Sequence, residues 1–369
     1  MRNNSFFNLS LGAYYLFYFA LVGVYIIFLP KTLADLHYTK EEIGNIYAAA
    51  PFMRFLLPFI FQYFLKLDRK IYHISLVLTV VGSLIFLYTI DSFSLFFVAN
   101  LLFGASMGIS LPYIETIALS KLDKSKYGKI RLWGSIGFIA IALYLGKILT
   151  NPYHTLYYLL AMALFTTLFG AIVVKYDDVK HTSATKDTEF SLSKYWAFWV
   201  SVFLMQVAFA GFYNFFTIYE TSHGISLELT SWMWSFGVIC EIAMLCFQGP
   251  LLQKNLLNII KFAILATSLR WLLLYLYPDS VVMTFLSQSL HAVSFALYHT
   301  ASITYVFSLY TQKRLAQQFF LGIAFGLGGS VGAFIAGRIY GEYIFLIEAI
   351  ITIGSFIFLH IHQTRKAYI

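Results

Sequence analysis

The fold class this sequence predicts is an all-α integral membrane protein, with about twelve transmembrane helices in two six-helix bundles. Three observations predict it. Of the 369 residues, 60% are hydrophobic and 11% are charged, whereas soluble domains carry roughly a quarter charged residues. A chain so poor in charge cannot cover its own surface in water. Apolar runs of about 20 residues, the length a helix needs to cross hydrocarbon, recur twelve times between turn residues and charges. Basic residues, finally, concentrate in every second loop.

The spans are placed near 9–29, 41–64, 72–90, 93–117, 131–149 and 155–174, then 195–219, 230–250, 258–277, 281–308, 315–338 and 343–362. The first apolar run, Leu11 to Pro30, has no small-residue cleavage site after it and reads as a span, not a cleavable signal. One set of loops holds Lys66, Arg69 and Lys70, then Lys121, Lys124, Lys126 and Lys129, then Lys175, Lys180, Lys186 and Lys194, then Lys254, Lys313 and Arg314. Arg2, Arg365 and Lys366 fall on the same side. By the positive-inside bias both termini are expected in the cytoplasm, and the protein in a cell inner membrane. The net charge of +8 is then a topological signal, and no nucleic-acid partner is expected.

The longest polar stretch divides the chain into an N-terminal bundle, 1–174, a cytoplasmic linker, 175–194, and a C-terminal bundle, 195–369. A 6+6 arrangement of this kind suggests a two-bundle transporter with a central site. No P-loop, GxSxG or HExxH motif occurs, so neither ATP hydrolysis by that route nor the corresponding hydrolases are predicted. No cofactor or metal is expected. Cys240 and Cys246 lie six residues apart on one apolar segment, face different ways, and read as buried free thiols.

A charged side chain in hydrocarbon costs at least about 2.5–3.5 kcal/mol, so each one calls for a role. The deep candidates are Arg54, Glu115, Arg131, Glu241, Arg270 and His291, with His299, Arg338 and Glu348 behind them. Trp234, Gly237, Glu241 and Gln248 share one helical stripe that resembles a pocket wall; the alternative is a protonated structural acid bound to a neighbouring helix. Arg270 and His291 lie on successive antiparallel spans joined by YPDS. Counted from that turn, they can meet or share Glu241 as a partner. Histidine titrates nearest physiological pH, so His291 is a proton-coupling candidate, against a neutral histidine held by a carbonyl; for His299 the structural reading is preferred. Glu115 and Arg131 flank the basic loop between spans four and five and are expected to pair, with substrate contact as the further possibility. Gln206, Tyr213 and Thr217 share a face of span seven, with Asn214 beside it, either lining a cavity or holding helices together. Arg54, between Pro51 and Pro58, either meets an anionic substrate or serves a kinked helix. Glycines in span eleven and at Gly128, Gly134 and Gly137 suggest close helix contact.

Read together, MRFL (53–56), YGKIRLWGSIGF (127–138), YNFFTIY (213–219), WSFGVICEI (234–242), LRW (269–271), LHAVSFALYH (290–299) and the glycine-rich 316–337 segment resemble the major facilitator superfamily. The resemblance is to the branch of the phenylpropionate permeases, with the lactose and nucleoside proton symporters as relatives. It implies a substrate-site acid at Glu115 with Arg131 as partner, an acid of span eight at Glu241, an arginine of span nine at Arg270 and a coupling histidine at His291. The sequence departs from the lactose symporter at Ser294, where that relative has a glutamate three residues after its histidine. Coupling then falls to Glu241 with Arg270 and His291. The loop between spans two and three keeps only Asp68-Arg69-Lys70 of the family pattern, without its glycines.

The expectation is a non-enzymatic secondary transporter, a monomer in membrane lipid, that moves a small organic solute by proton-coupled symport and alternating access. Its substrate-binding residues would be Arg54, Glu115, Arg131, Gln206, Tyr213, Asn214, Trp234 and Glu241; its proton-coupling residues, Glu241, Arg270 and His291. An aromatic or organic acid is the expected substrate. Alternatives are a sugar or nucleoside symporter, a drug or metabolite effluxer, and a membrane enzyme using His291 or His299 as base.

Overall fold

A computed structural model describes residues 2–63, 67–178 and 191–366. Most of the expected linker, including Lys180 and Lys186, lies outside the described residues, as does Lys66. Twelve helices among them are long and apolar enough to cross a membrane. In the first half these are α1 (Ser5–Asp35), α2 (Lys40–Phe61), α3 (Arg69–Thr89), α4 (Phe93–Lys121), α5 (Lys126–Ile148) and α6 (His154–Tyr176). The second half contributes α7 (Ser193–Ser222), α8 (Leu227–Phe247), α9 (Leu256–Leu276), α10 (Val281–Leu309), α11 (Leu315–Ile339) and α12 (Ile344–Arg365). Each overlaps one expected span. Local chemistry sets several starts: the side chains of Asp68, Ser226, Asn255 and Ser280 accept from backbone amides three residues on, supplying the acceptors that helix N-termini lack.

The chain forms two compact units, Met1–Ala184 and Thr185–Ile369. In the first, α1 packs on α5 and α6, α4 on α2 and α3, and α3 on α6. The second repeats this six helices later: α7 on α11 and α12, α10 on α8 and α9, and α9 on α12. This is an internal structural repeat, as transporter folds have. Large apolar side chains such as Val282 and Phe247 point outward and are exposed, as lipid-facing positions require.

Close approach explains part of the glycine pattern. A Cβ at Gly137 would lie 2.0 Å from the Leu16 carbonyl oxygen, so α5 meets the α1 backbone directly there. Gly134 faces Phe19 and Arg131, but Gly128 has open space around it and contributes no helix contact. Cys246 corrects the expectation of two buried thiols. It is exposed and free, because α8 turns that face outward at its end, while Cys240 is half-buried.

Candidate functional site

The second unit concentrates its polar side chains around a discontinuity in α7. That span is two helices, Trp196–Val207 and Ala210–Ser222. Between them Phe209 N–H reaches only three residues back, to Gln206, and regular bonding resumes at Tyr213, which donates to Phe209 O. The second helix therefore begins inside the span, with amides that have no intrahelical acceptor. Gly211 N–H donates to Glu348 Oε1 of α12. A Cβ on Gly211 would lie 2.2 Å from that oxygen, so only glycine leaves room for the cap.

Beside the break sits Arg270 of α9, with no exposed surface. Its guanidinium lies 4.1 Å from the centre of the Phe212 ring and 4.7 Å from that of Trp271. One amino group donates to His291 Nδ1 at 2.9 Å and to Ser294 Oγ at 3.3 Å; the other donates to Gln288 Oε1 at 3.0 Å. No carboxylate lies within ion-pair distance of it among the described residues. A guanidinium has only donors, so His291 Nδ1 must be the accepting nitrogen. The histidine proton then resides on Nε2, which faces Glu241 Oε2 at 3.6 Å. His291 thus stands between a fixed cation and an acid that keeps 22% of its side-chain surface exposed. Immediately after it, α10 widens into a π-helical stretch, Ala292–Leu297, a distortion frequent at functional sites.

The wall of this cluster is aromatic. Trp234 donates from Nε1 to Thr217 Oγ1 at 3.0 Å and packs on Phe212, with ring centres 4.5 Å apart. Tyr213 lies nearly parallel to Trp234 at 6.4 Å, and Phe295 stacks on His291 at 5.2 Å. Gln248, at the far end of the Glu241 stripe, donates to Thr300 of α10 at 3.2 Å. Gln206 is buried, and a Cβ built on Gly328 of α11 would lie 3.0 Å from its Cβ. Asn214 is half-buried beside Tyr213. His299 packs among Phe295, Phe320 and Phe325.

The first unit holds the other charged pair. Arg131 Nε of α5 donates to Glu115 Oε1 of α4 at 3.0 Å, and both side chains stay a little under one-third exposed. The guanidinium lies 4.2 Å from the centre of Phe19 and 5.0 Å from that of Tyr15, both on α1. Arg54 is exposed on α2, with Tyr18 and Tyr25 within reach of its charge.

Two acids were poorly marked in the sequence. Glu348 ranked behind the other deep charges, because nothing in IFLIEAIITIG foretells a break in another helix. Glu220 extends the Tyr213–Thr217 stripe by three residues, at the end of its span, where an acid reads as an ordinary interfacial charge. It has no exposed surface, and among the described residues the Thr284 hydroxyl is the polar side chain that acts on its otherwise unpartnered carboxyl.

A helical repeat of six plus six spans with ionisable side chains in the second unit defines a membrane transporter. The chain belongs to the MFS_1 like family, whose model matches residues 8–348. It is 24% identical over 380 residues to the probable 3-phenylpropionic acid transporter of Escherichia coli (strain K12), covering 94% of this chain and 95% of that one. It is 25% identical over 371 residues to the uncharacterized transporter YwbF of Bacillus subtilis (strain 168), covering 94% and 91%. Among solved structures, the nucleoside transporter NupG is similar at a TM-score of 0.78 and 18% identity, over 97% of this chain and 99% of that one. An auto-inhibited POT family peptide transporter is similar at 0.72 and 11%, over 97% and 95%.

Proposed function

We propose that this protein is a proton-coupled symporter of a small organic acid, working by alternating access, with Glu241, His291 and Arg270 as the coupling residues. The contiguity of these three side chains carries the reading. Glu241 is the partly exposed end of the series and takes the proton from solvent. A neutral Glu241 loses its charge and is a weaker acceptor for His291 Nε2, 3.6 Å away, so the histidine is held less firmly and can change partner. Protonation of His291 on Nδ1 instead sets an N–H against the Arg270 amino group and breaks that contact. Either event changes what the buried guanidinium is bonded to, which gives the proton a differential interaction with two states of the bundle.

An aromatic carboxylic acid fits the cluster best. Tyr213 and Phe295, half-buried beside the buried Phe212 and Trp234, offer ring faces, and Arg270 is a buried cation with no carboxylate within ion-pair distance among the described residues. The relative named for 3-phenylpropionic acid supports the same class. A nucleoside is the second reading, favoured by the likeness to NupG. Arg54, Gln206, Asn214 and the Glu115–Arg131 pair complete the proposed substrate contacts. The protein acts in the inner membrane as a monomer, with both termini cytoplasmic, protons and a small solute as partners, the 175–194 segment as linker, and no enzymatic step. A thermal-shift screen of purified protein against aromatic acids, nucleosides and sugars tests the substrate class. Stabilisation by 3-phenylpropionate and its analogues is expected; stabilisation by nucleosides alone would replace it with the second reading.

A further inference from the structure

We propose that Glu348 is a second proton-binding carboxyl of the C-terminal unit, and that the break in α7 responds to its ionisation. The proposal deepens the proton-coupled reading, and its part in transport rests on that reading. Glu348 is 1% exposed. Its Oε1 accepts from Gly211 at the start of a thirteen-residue helix, while Oε2 has no hydrogen-bond partner among the described residues. The groups facing it come from the two spans packed against α12. From α7 it meets the amides of Gly211 and Phe212 and no ionisable side chain; from α9 the charge of Arg270 acts on it.

The two protonation states meet this environment differently. A carboxylate accepts from the orphan amides, is favoured by the positive end of the helix dipole, and gives Arg270 a counter-charge beyond ion-pair distance. A carboxylic acid protonated on the free Oε2 leaves Oε1 an uncharged, weaker acceptor for the Gly211 amide and gives up its attraction to the helix dipole. The cap then weakens, and Arg270 is left with only the neutral acceptors His291, Gln288 and Ser294. Proton binding at Glu348 thus passes through Arg270 to His291, linking α12 to the Glu241 end of the series. Gly211 belongs to this device because any larger residue displaces the acid.

The test is a pH titration of the carboxyl C=O stretch by infrared difference spectroscopy, on full-length protein in liposomes without substrate. Glu348→Gln is expected to lose one titrating acid-form band that Glu241→Gln retains. Identical titrations of Glu348→Gln and wild type would overturn the proposal. Gly211→Ala keeps the acid but displaces it, and should move that band's midpoint by about one pH unit, a tenfold change in proton affinity. An unmoved midpoint would also overturn the proposal, and this variant decides the matter if Glu348→Gln fails to fold. Failure of the proton-coupled reading itself shows separately, as wild-type uptake indifferent to a proton gradient.

Discussion

Arg270 donates to His291 Nδ1 across 2.9 Å, from a guanidinium with no exposed surface. This one bond fixes the histidine tautomer and aims its proton at Glu241. It also makes the cation's environment depend on a side chain that titrates.

Arg270→Lys tests that dependence. An ammonium is a compact charge without the guanidinium's planar fork, and cannot hold His291, Ser294 and Gln288 together from one stem. Uptake should fall at least about tenfold, the effect of a 1.4 kcal/mol loss, with folded protein still recovered by size exclusion. Wild-type uptake would show that charge alone suffices.

The Glu115–Arg131 pair is best measured by a double-mutant cycle with Glu115→Gln and Arg131→Gln, read as thermal stability in detergent. Both groups are nearly one-third exposed, so solvent screening reduces the coupling to about 1 kcal/mol. Strict additivity of the two variants would show that the pair contributes nothing to folding.

Gly137→Leu should be more damaging than either charge deletion. The new side chain would enter the space of the Leu16 carbonyl, where overpacking costs typically 1–3 kcal/mol, occasionally more. A lowered melting temperature is expected, with Gly128→Leu as the tolerated control because nothing lies near that position.

Alkaline stability follows from Tyr38, in the turn between α1 and α2. Its hydroxyl donates to the Ile90 carbonyl at 2.6 Å. Burial first, then the Glu42 and Asp91 carboxylates, push the phenol up to about 12. A folded value above the ordinary one of about 10 means that the contribution is complete below pH 10 or so, and is lost as pH rises toward about 12. Melting temperature should therefore fall over that window less steeply in Tyr38→Phe than in wild type.

The helices were legible because hydrocarbon imposes one length and one composition on every span. The approach of Arg270 to His291 was legible too, since both are counted from the same turn and the arginine side chain bridges the remaining difference in depth. The α7 break was not. Neither proline nor glycine stands at Ala208 or Phe209, and the acceptor for the freed amide comes from Glu348, 137 residues away. Tertiary satisfaction of a backbone group leaves no local periodicity to read.

The coupling claim is tested most directly by uptake of labelled 3-phenylpropionate into proteoliposomes under an imposed inward proton gradient. The account predicts accumulation in wild type that collapses with an uncoupler, and none above equilibrium in Glu241→Gln. Accumulation indifferent to the gradient, or unaltered in Glu241→Gln, would contradict it.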